Sequence, residues 1–182
     1  MNRKFCSLIF VAGLTATAAF ADETIDMDKQ PNLSADEIRA SLFPHDDTGC
    51  DPIEAAKAKM TCMGFMPTPK VFSLPSKIVF KLGSAELSEE AKRYLNKFGP
   101  TVSVLEGTDL KVLITGHTDA TGPHALNERL SQQRAESVKT YFVRNFGAPS
   151  ANLVTVGVAS SRLKLPDQPA AAENRRVEIG RK

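Results

Sequence analysis

Apolar residues fall into two kinds of run along this chain, and the alternation between them outlines a fold. "LSEEAKRYLNKFGPTVSVL" (87–105) carries Ala91, Leu95 and Phe98 at helical spacing, with Ser88 as N-cap. Pro100 lies inside it and is expected to shorten or kink that helix, because it removes a backbone donor. "PHALNERLSQQRAESVKTYFVRNFG" (123–147) predicts a longer helix, opening near Pro123 and closing at Gly147, a residue suited to the left-handed C-cap. Between and around them, short β-branched runs predict strands: "KIVFKL" (77–82), "LKVLITG" (110–116), "ANLVTVGV" (151–158) and "RRVEIG" (175–180). "ASSRLKLPDQPAAAEN" (159–174) is a long loop with two prolines. The order is β-α-β-α-β-loop-β, an α+β arrangement in which a sheet carries helices on one face. The close final pair of strands implies an antiparallel neighbour.

Residues 22–75 read differently. Six of the 11 prolines lie between Pro31 and Pro75. "PNLSADEIRASL" predicts a short helix, with Ser34 and Glu37 as a capping box. "CDPIEAAKAKMTC" predicts another, with Asp51 as N-cap and Pro52 at the first helical position. This segment is expected to be an N-terminal extension with short helices.

Cys50 and Cys62 in that extension set a geometric problem. A continuous helix between them would hold their Cα atoms about 18 Å apart. A disulfide needs roughly 4.4–6.8 Å. A bridge therefore requires the helix to stop early and the chain to fold back. The expectation is that it does.

The first residues, "MNRKFCSLIFVAGLTATAAFADETID", have a basic start, an apolar run, and a small-x-small pattern at Ala19-Phe20-Ala21. They predict a secretory signal peptide over residues 1–21, cut before Asp22. Without them 21 basic and 21 acidic residues remain, so the mature chain is neutral. Overall charge then gives no reason to expect a nucleic-acid partner. Export to an oxidising compartment suits the disulfide. No later apolar run is long enough to span a membrane.

Candidate chemistry concentrates in residues 114–138. Asp119 lies in the turn before the long helix, near backbone N–H groups that lack intrahelical partners. Asn127 and Arg134 are seven apart and share one helix face. Thr118 and Thr121 add short polar side chains at the same end. Each has a plain alternative: Asp119 as a turn cap, Arg134 as a surface cation paired with Glu128 or Glu136, Asn127 as a local hydrogen-bonding residue. Arg175 and Arg176 read equally as charges on an edge strand that deter aggregation. His117 and His124 with Asp119 do not form a known metal-ligand spacing, and no nucleophile motif occurs.

"GHTDATG", "NERLSQQRAESV" and "ENRRVEI", with "FKLGSAELSEEAK" before them, resemble the C-terminal peptidoglycan-binding domain of OmpA-like proteins. That family includes peptidoglycan-associated lipoproteins and flagellar stator subunits. The resemblance covers about residues 76–182 and implies a mixed sheet with two long helices packed on one face. It implies a non-enzymatic, cofactor-free binding domain in the periplasm, associated with the outer membrane. The implied ligand is peptidoglycan, held through the diaminopimelate of its stem peptide. That amino acid ends in a zwitterion, so a site needs one anion and one cation. By the family motif Asp119 takes the ammonium and Arg134 the carboxylate, where a planar guanidinium can bond bidentately. Arg175 matches a family position near the site. The pattern is broken at Phe80-Lys81, where many members carry Asp after the Phe. Two other readings stand beside this one. Residues 22–75 could dock on an envelope complex, making the chain an adaptor with a wall anchor. The fold could also carry a periplasmic hydrolase or metal binder.

Overall fold

The computed structural model describes residues 24–75, Phe80 and residues 83–182. The expected signal peptide, most of the expected strand 77–82 and Lys81 lie outside the described residues. The elements are β1 (Thr24–Asp26), α1 (Ala35–Leu42), α2 (Pro52–Lys57), β2 (Val71–Pro75), α3 (Glu89–Ser103), β3 (Val112–Gly116), α4 (His124–Phe146), β4 (Leu153–Gly157) and β5 (Arg176–Arg181).

Local chemistry sets the helix ends. Ser34 and Glu37 form the expected capping box on α1. Asp51 accepts from the Ile53 and Glu54 N–H groups at the start of α2. Ser88 caps α3 through the Ala91 N–H. Pro100 does not end α3, which runs on to Ser103. Gly147 closes α4 at φ 62°, a conformation costly for residues with a Cβ.

The five strands form one mixed sheet in the order β1-β2-β5-β3-β4. β3 and β4 are parallel, joined by the α4 crossover. β5 is antiparallel to both β2 and β3. The last two strands in sequence are therefore not neighbours, as their closeness in the chain had implied. The long loop before β5 lets it pass β3 and enter between β3 and β2. This puts β5 at the centre of the sheet, which removes the edge-strand reading of Arg175 and Arg176.

The N-terminal segment enters the same sheet. Val71–Pro75 lies beside β5, and Phe72 pairs with Ile179. Phe80 makes only an isolated bridge, with Leu87. β1 adds an outer parallel strand. Met27, Ile38, Leu42, Phe43 and Ile53 share one apolar core with Leu95, Phe98, Val138, Phe142 and Ile179. Phe98 sits at its middle, 5.2 Å from the Phe72 ring and 6.4 Å from Phe142.

The cysteine geometry resolves as a fold-back. α2 stops at Lys57, Lys59 takes φ 56°, and the Met60 N–H returns to the Ala55 carbonyl. Cys50 and Cys62 then form a disulfide with Cα atoms 5.7 Å apart.

Candidate functional site

One stripe of α4 faces inward: Asn127, Ser131, Arg134, Ala135, Val138 and Phe142. Its C-terminal half is apolar and joins the core. Its N-terminal half is polar and buried, and that half forms the site.

Close backbone approach brings this half onto the sheet. A Cβ on Gly116 would lie 2.0 Å from the Ser131 carbonyl oxygen, and one on Gly157 would lie 2.4 Å from the Gln132 nitrogen. Only glycine fits at either strand end. The contact is then fixed by polar bonds. The Ala159 N–H donates to Ser131 Oγ (3.1 Å), and the Gly157 N–H donates to Gln132 Oε1 (2.7 Å).

Asp119 follows β3 and is 6% exposed. Its Oδ1 accepts from the Thr121 N–H (3.0 Å) and from the Thr121 hydroxyl. Its Oδ2 accepts from Arg175 Nη1 at 2.7 Å. Burial favours the neutral acid, but the Thr121 hydroxyl and the Arg175 guanidinium outweigh it and hold the carboxyl below its ordinary range. A carboxylate has about four lone-pair positions, so Oδ2 keeps room for one further donor. Asn127 Nδ2 donates to the Thr121 carbonyl at 2.8 Å and to the Asp119 carbonyl at 3.4 Å. Asn127 therefore holds the loop that presents the acid. Thr118 is buried, and its hydroxyl has no hydrogen-bond partner among the described residues.

Arg134 is 3% exposed. Its Nε donates to the Ser84 carbonyl at 3.2 Å, and its guanidinium lies 5.2 Å from the centre of the Phe80 ring. Its Nη1 is buried with no hydrogen-bond partner among the described residues. Burial and the Arg175 charge push the guanidinium down to about 10, partly opposed by Asp119. It still carries its charge at neutral pH. An unpaired donor on a buried cation is costly, so such a group is rarely kept without a use.

The structure thus brings Asp119, Thr121, Asn127 and Arg175 into direct contact, with Arg134 coupled to them through charge. Arg176 does something else. It is buried, and it donates from Nε to Glu178 Oε1 at 2.7 Å and from Nη2 to the Arg162 carbonyl at 3.1 Å. His117 is fully buried, with Nε2 3.0 Å from Glu178 Oε2. Burial outweighs Glu178 and keeps its imidazole below the usual histidine range. His124 is exposed and faces Glu128 at 3.6 Å. The Phe80 ring, the Ser84 carbonyl and Glu178 were not anticipated. Ser84 contributes a backbone atom, for which residue type is no guide. The Phe80 contact depends on a fold between distant segments.

A model of the OmpA family matches residues 79–177. Outer membrane protein A of Shimwellia blattae is 36% identical over 121 residues, covering 60% of this chain and 50% of that protein. Outer membrane protein P5 of Haemophilus influenzae is 36% identical over 153 residues, covering 78% of this chain and 40% of that protein. The outer-membrane lipoprotein YfiB of Pseudomonas aeruginosa is 34% identical over 110 residues, covering 59% and 64%. The chain spans about half the length of the curated relatives it matches. Among solved structures, a MotB-like protein from Desulfovibrio vulgaris aligns with TM-score 0.52 at 26% identity, over 62% of this chain and 72% of that one. The periplasmic domain of Helicobacter pylori MotB aligns with TM-score 0.53 at 20% identity, over 62% and 74%, a likeness of fold alone.

Proposed function

The chain belongs to the OmpA family, and from that premise we propose that it binds peptidoglycan non-covalently and anchors part of the cell envelope to the wall. The recognised group is the free end of the stem-peptide diaminopimelate, a carboxylate beside an ammonium. The observation that carries this reading is the unpartnered, buried Nη1 of Arg134. That donor calls for an acceptor from outside the described protein. A carboxylate suits it best, because a charged acceptor roughly doubles the strength of such a bond.

The charges fit the same ligand. Arg134 and Arg175 carry two positive charges against one on Asp119, so the site has an excess of positive charge. It attracts a carboxylate first. The remaining lone-pair position on Asp119 Oδ2 then takes the ammonium. Thr118, whose hydroxyl also lacks a partner among the described residues, is a further donor or acceptor for the stem peptide. Binding and orientation account for every one of these groups, and the reading needs no reaction and no cofactor.

The test is sedimentation of the protein with purified sacculi. Free diaminopimelate should release it, and Nα-acetyl-lysine amide, which carries the side-chain ammonium with no carboxylate beside it, should do so far less. Equal release by both would remove the diaminopimelate reading and leave wall binding through another group.

A further inference from the structure

Beside the clamp lies a second buried cluster, on the other face of the sheet. Gly116 packs against Ser131 of α4, so His117, the next residue, faces away from the helices. It is fully buried, and neither of its ring nitrogens completes a hydrogen bond among the described residues. Nε2 nevertheless stands 3.0 Å from Glu178 Oε2. A histidine that only fills a core normally has its nitrogens matched. The charged groups facing it are Glu178 and Arg176 of β5 and Arg162 of the loop between β4 and β5. Asp26, in the same cross-sheet row as Glu178, is occupied by Lys164 at 2.7 Å.

That loop, residues 158–175, crosses this face of the sheet and holds both members of the Asp119–Arg175 pair. The Thr118 N–H donates to the Ala159 carbonyl and the Ala120 N–H to the Pro169 carbonyl, both at 2.9 Å. The loop therefore grips the backbone on either side of Asp119. Arg175 is its last residue before β5. Asn174 ties the loop to itself, accepting from the Leu165 N–H and donating to the Gln168 carbonyl, both at 2.8 Å. A loop so braced shifts as a body.

We propose that His117 is the positioning residue of this assembly: protonating its imidazole lifts loop 158–175 from the sheet, loosens the Asp119–Arg175 pair and so weakens the clamp.

The sign follows from the surroundings. An imidazolium here would stand out of water, with one carboxylate and two guanidinium groups around it. Burial already holds the ring below 6.5. Lifting the loop admits water to the ring, so the lifted form takes the proton more readily. Acid therefore favours the lifted form as pH falls from 6.5 toward the folded value. Burial would raise Glu178, but His117 and Arg176 hold it at about 2, so it stays charged throughout. That the ligand is then released in acid rests on the wall-binding reading; the coupling of His117 to the pair does not.

The test has two arms. In the first, NMR of the free protein follows the His117 ring and the Asp119 side-chain carboxyl from pH 7.5 to 5, with the amide spectrum as control for fold. Asp119 is held below its ordinary range, so its own protonation lies outside this window. Its resonance should move with the midpoint of His117. Arg162→Ala removes an exposed charge that faces the ring and keeps the carbonyl that Arg176 uses. It should carry both midpoints to higher pH together. An Asp119 resonance that stays still while His117 titrates, or one that ignores Arg162→Ala, would overturn the proposal. In the second arm, affinity for sacculi should fall by about threefold or more between pH 7.5 and 5.5, and the fall should begin at higher pH in Arg162→Ala. Equal affinity at both pH values would overturn the proposal as well. Absence of sacculus binding already at pH 7.5 would refute the wall reading, and the resonances would still decide the role of His117.

Discussion

Arg175 Nη1 lies 2.7 Å from Asp119 Oδ2, joining residues 56 positions apart across the mouth of the site. The pair links the central strand β5 to the turn after β3. It gives Asp119 a fixed orientation before any ligand arrives. It also leaves Arg134, the deeper cation, without a carboxylate of its own.

Arg175→Ala should raise the Asp119 carboxyl toward its ordinary value, because the nearby positive charge is lost while burial stays. The side-chain carboxyl resonance of Asp119, followed by NMR across a pH titration, reads this directly. An unchanged titration would mean that the pair does not form in solution.

His117 makes stability depend on pH. Its folded value lies below the ordinary 6.5, because burial disfavours the imidazolium. As pH falls below 6.5 the unfolded chain takes up the proton first, so stability drops until pH reaches the folded value. The groups facing it are Glu178, Arg176 and Arg162. Glu178 is also held below its ordinary range, which for a carboxyl favours the charged form. Burial would raise it, but His117 and Arg176 hold it low, so its contribution is lost only at more acidic pH. Denaturant unfolding at pH 7, 6 and 5 should show a loss that is flatter in His117→Gln. Equal slopes would refute the assignment.

Gly116→Ala should destabilise the domain by about 1–3 kcal/mol or more, since the new methyl meets the Ser131 carbonyl on α4. Urea midpoints measure the effect. Because α4 carries Arg134, the same variant should also weaken sacculus binding. A stable variant with full binding would show that α4 can shift without consequence.

Reducing the Cys50–Cys62 bridge should lower stability by roughly 3 kcal/mol at most, as expected for a short closed loop. Thermal unfolding with and without reductant tests this. An identical midpoint would make the bridge irrelevant to folding of the domain.

The features legible in the sequence were local ones. Ser34, Asp51 and Ser88 cap their helices within three residues, so their roles follow from short-range hydrogen bonding. Gly147 ends α4 for an equally local reason. Asp119, Asn127 and Arg134 could be grouped because one turn and one helix face hold all three. Pairings between distant segments were hidden. Val71–Pro75 sits in a proline-rich stretch, and only its register with Arg176–Ile179 makes it a strand of the sheet. The central position of β5 depends on the route of the loop before it. Between Arg175 and Arg176 the residues alone made no choice, and only the family resemblance pointed to Arg175. Arg175 stands just before β5 and reaches Asp119, whereas Arg176, the first residue of β5, turns to Glu178.

The most direct test of the central claim is the affinity of Asp119→Ala and Arg134→Ala for purified sacculi, with thermal unfolding as the control for fold. Each substitution leaves one pole of the bound zwitterion unpaired. The expected cost is about 2–5 kcal/mol, or roughly 30-fold to several-thousand-fold in affinity. Arg134→Lys should recover only part of it, because an ammonium keeps the charge but loses the planar fork. Folded alanine variants that bind sacculi as tightly as the parent would contradict the clamp.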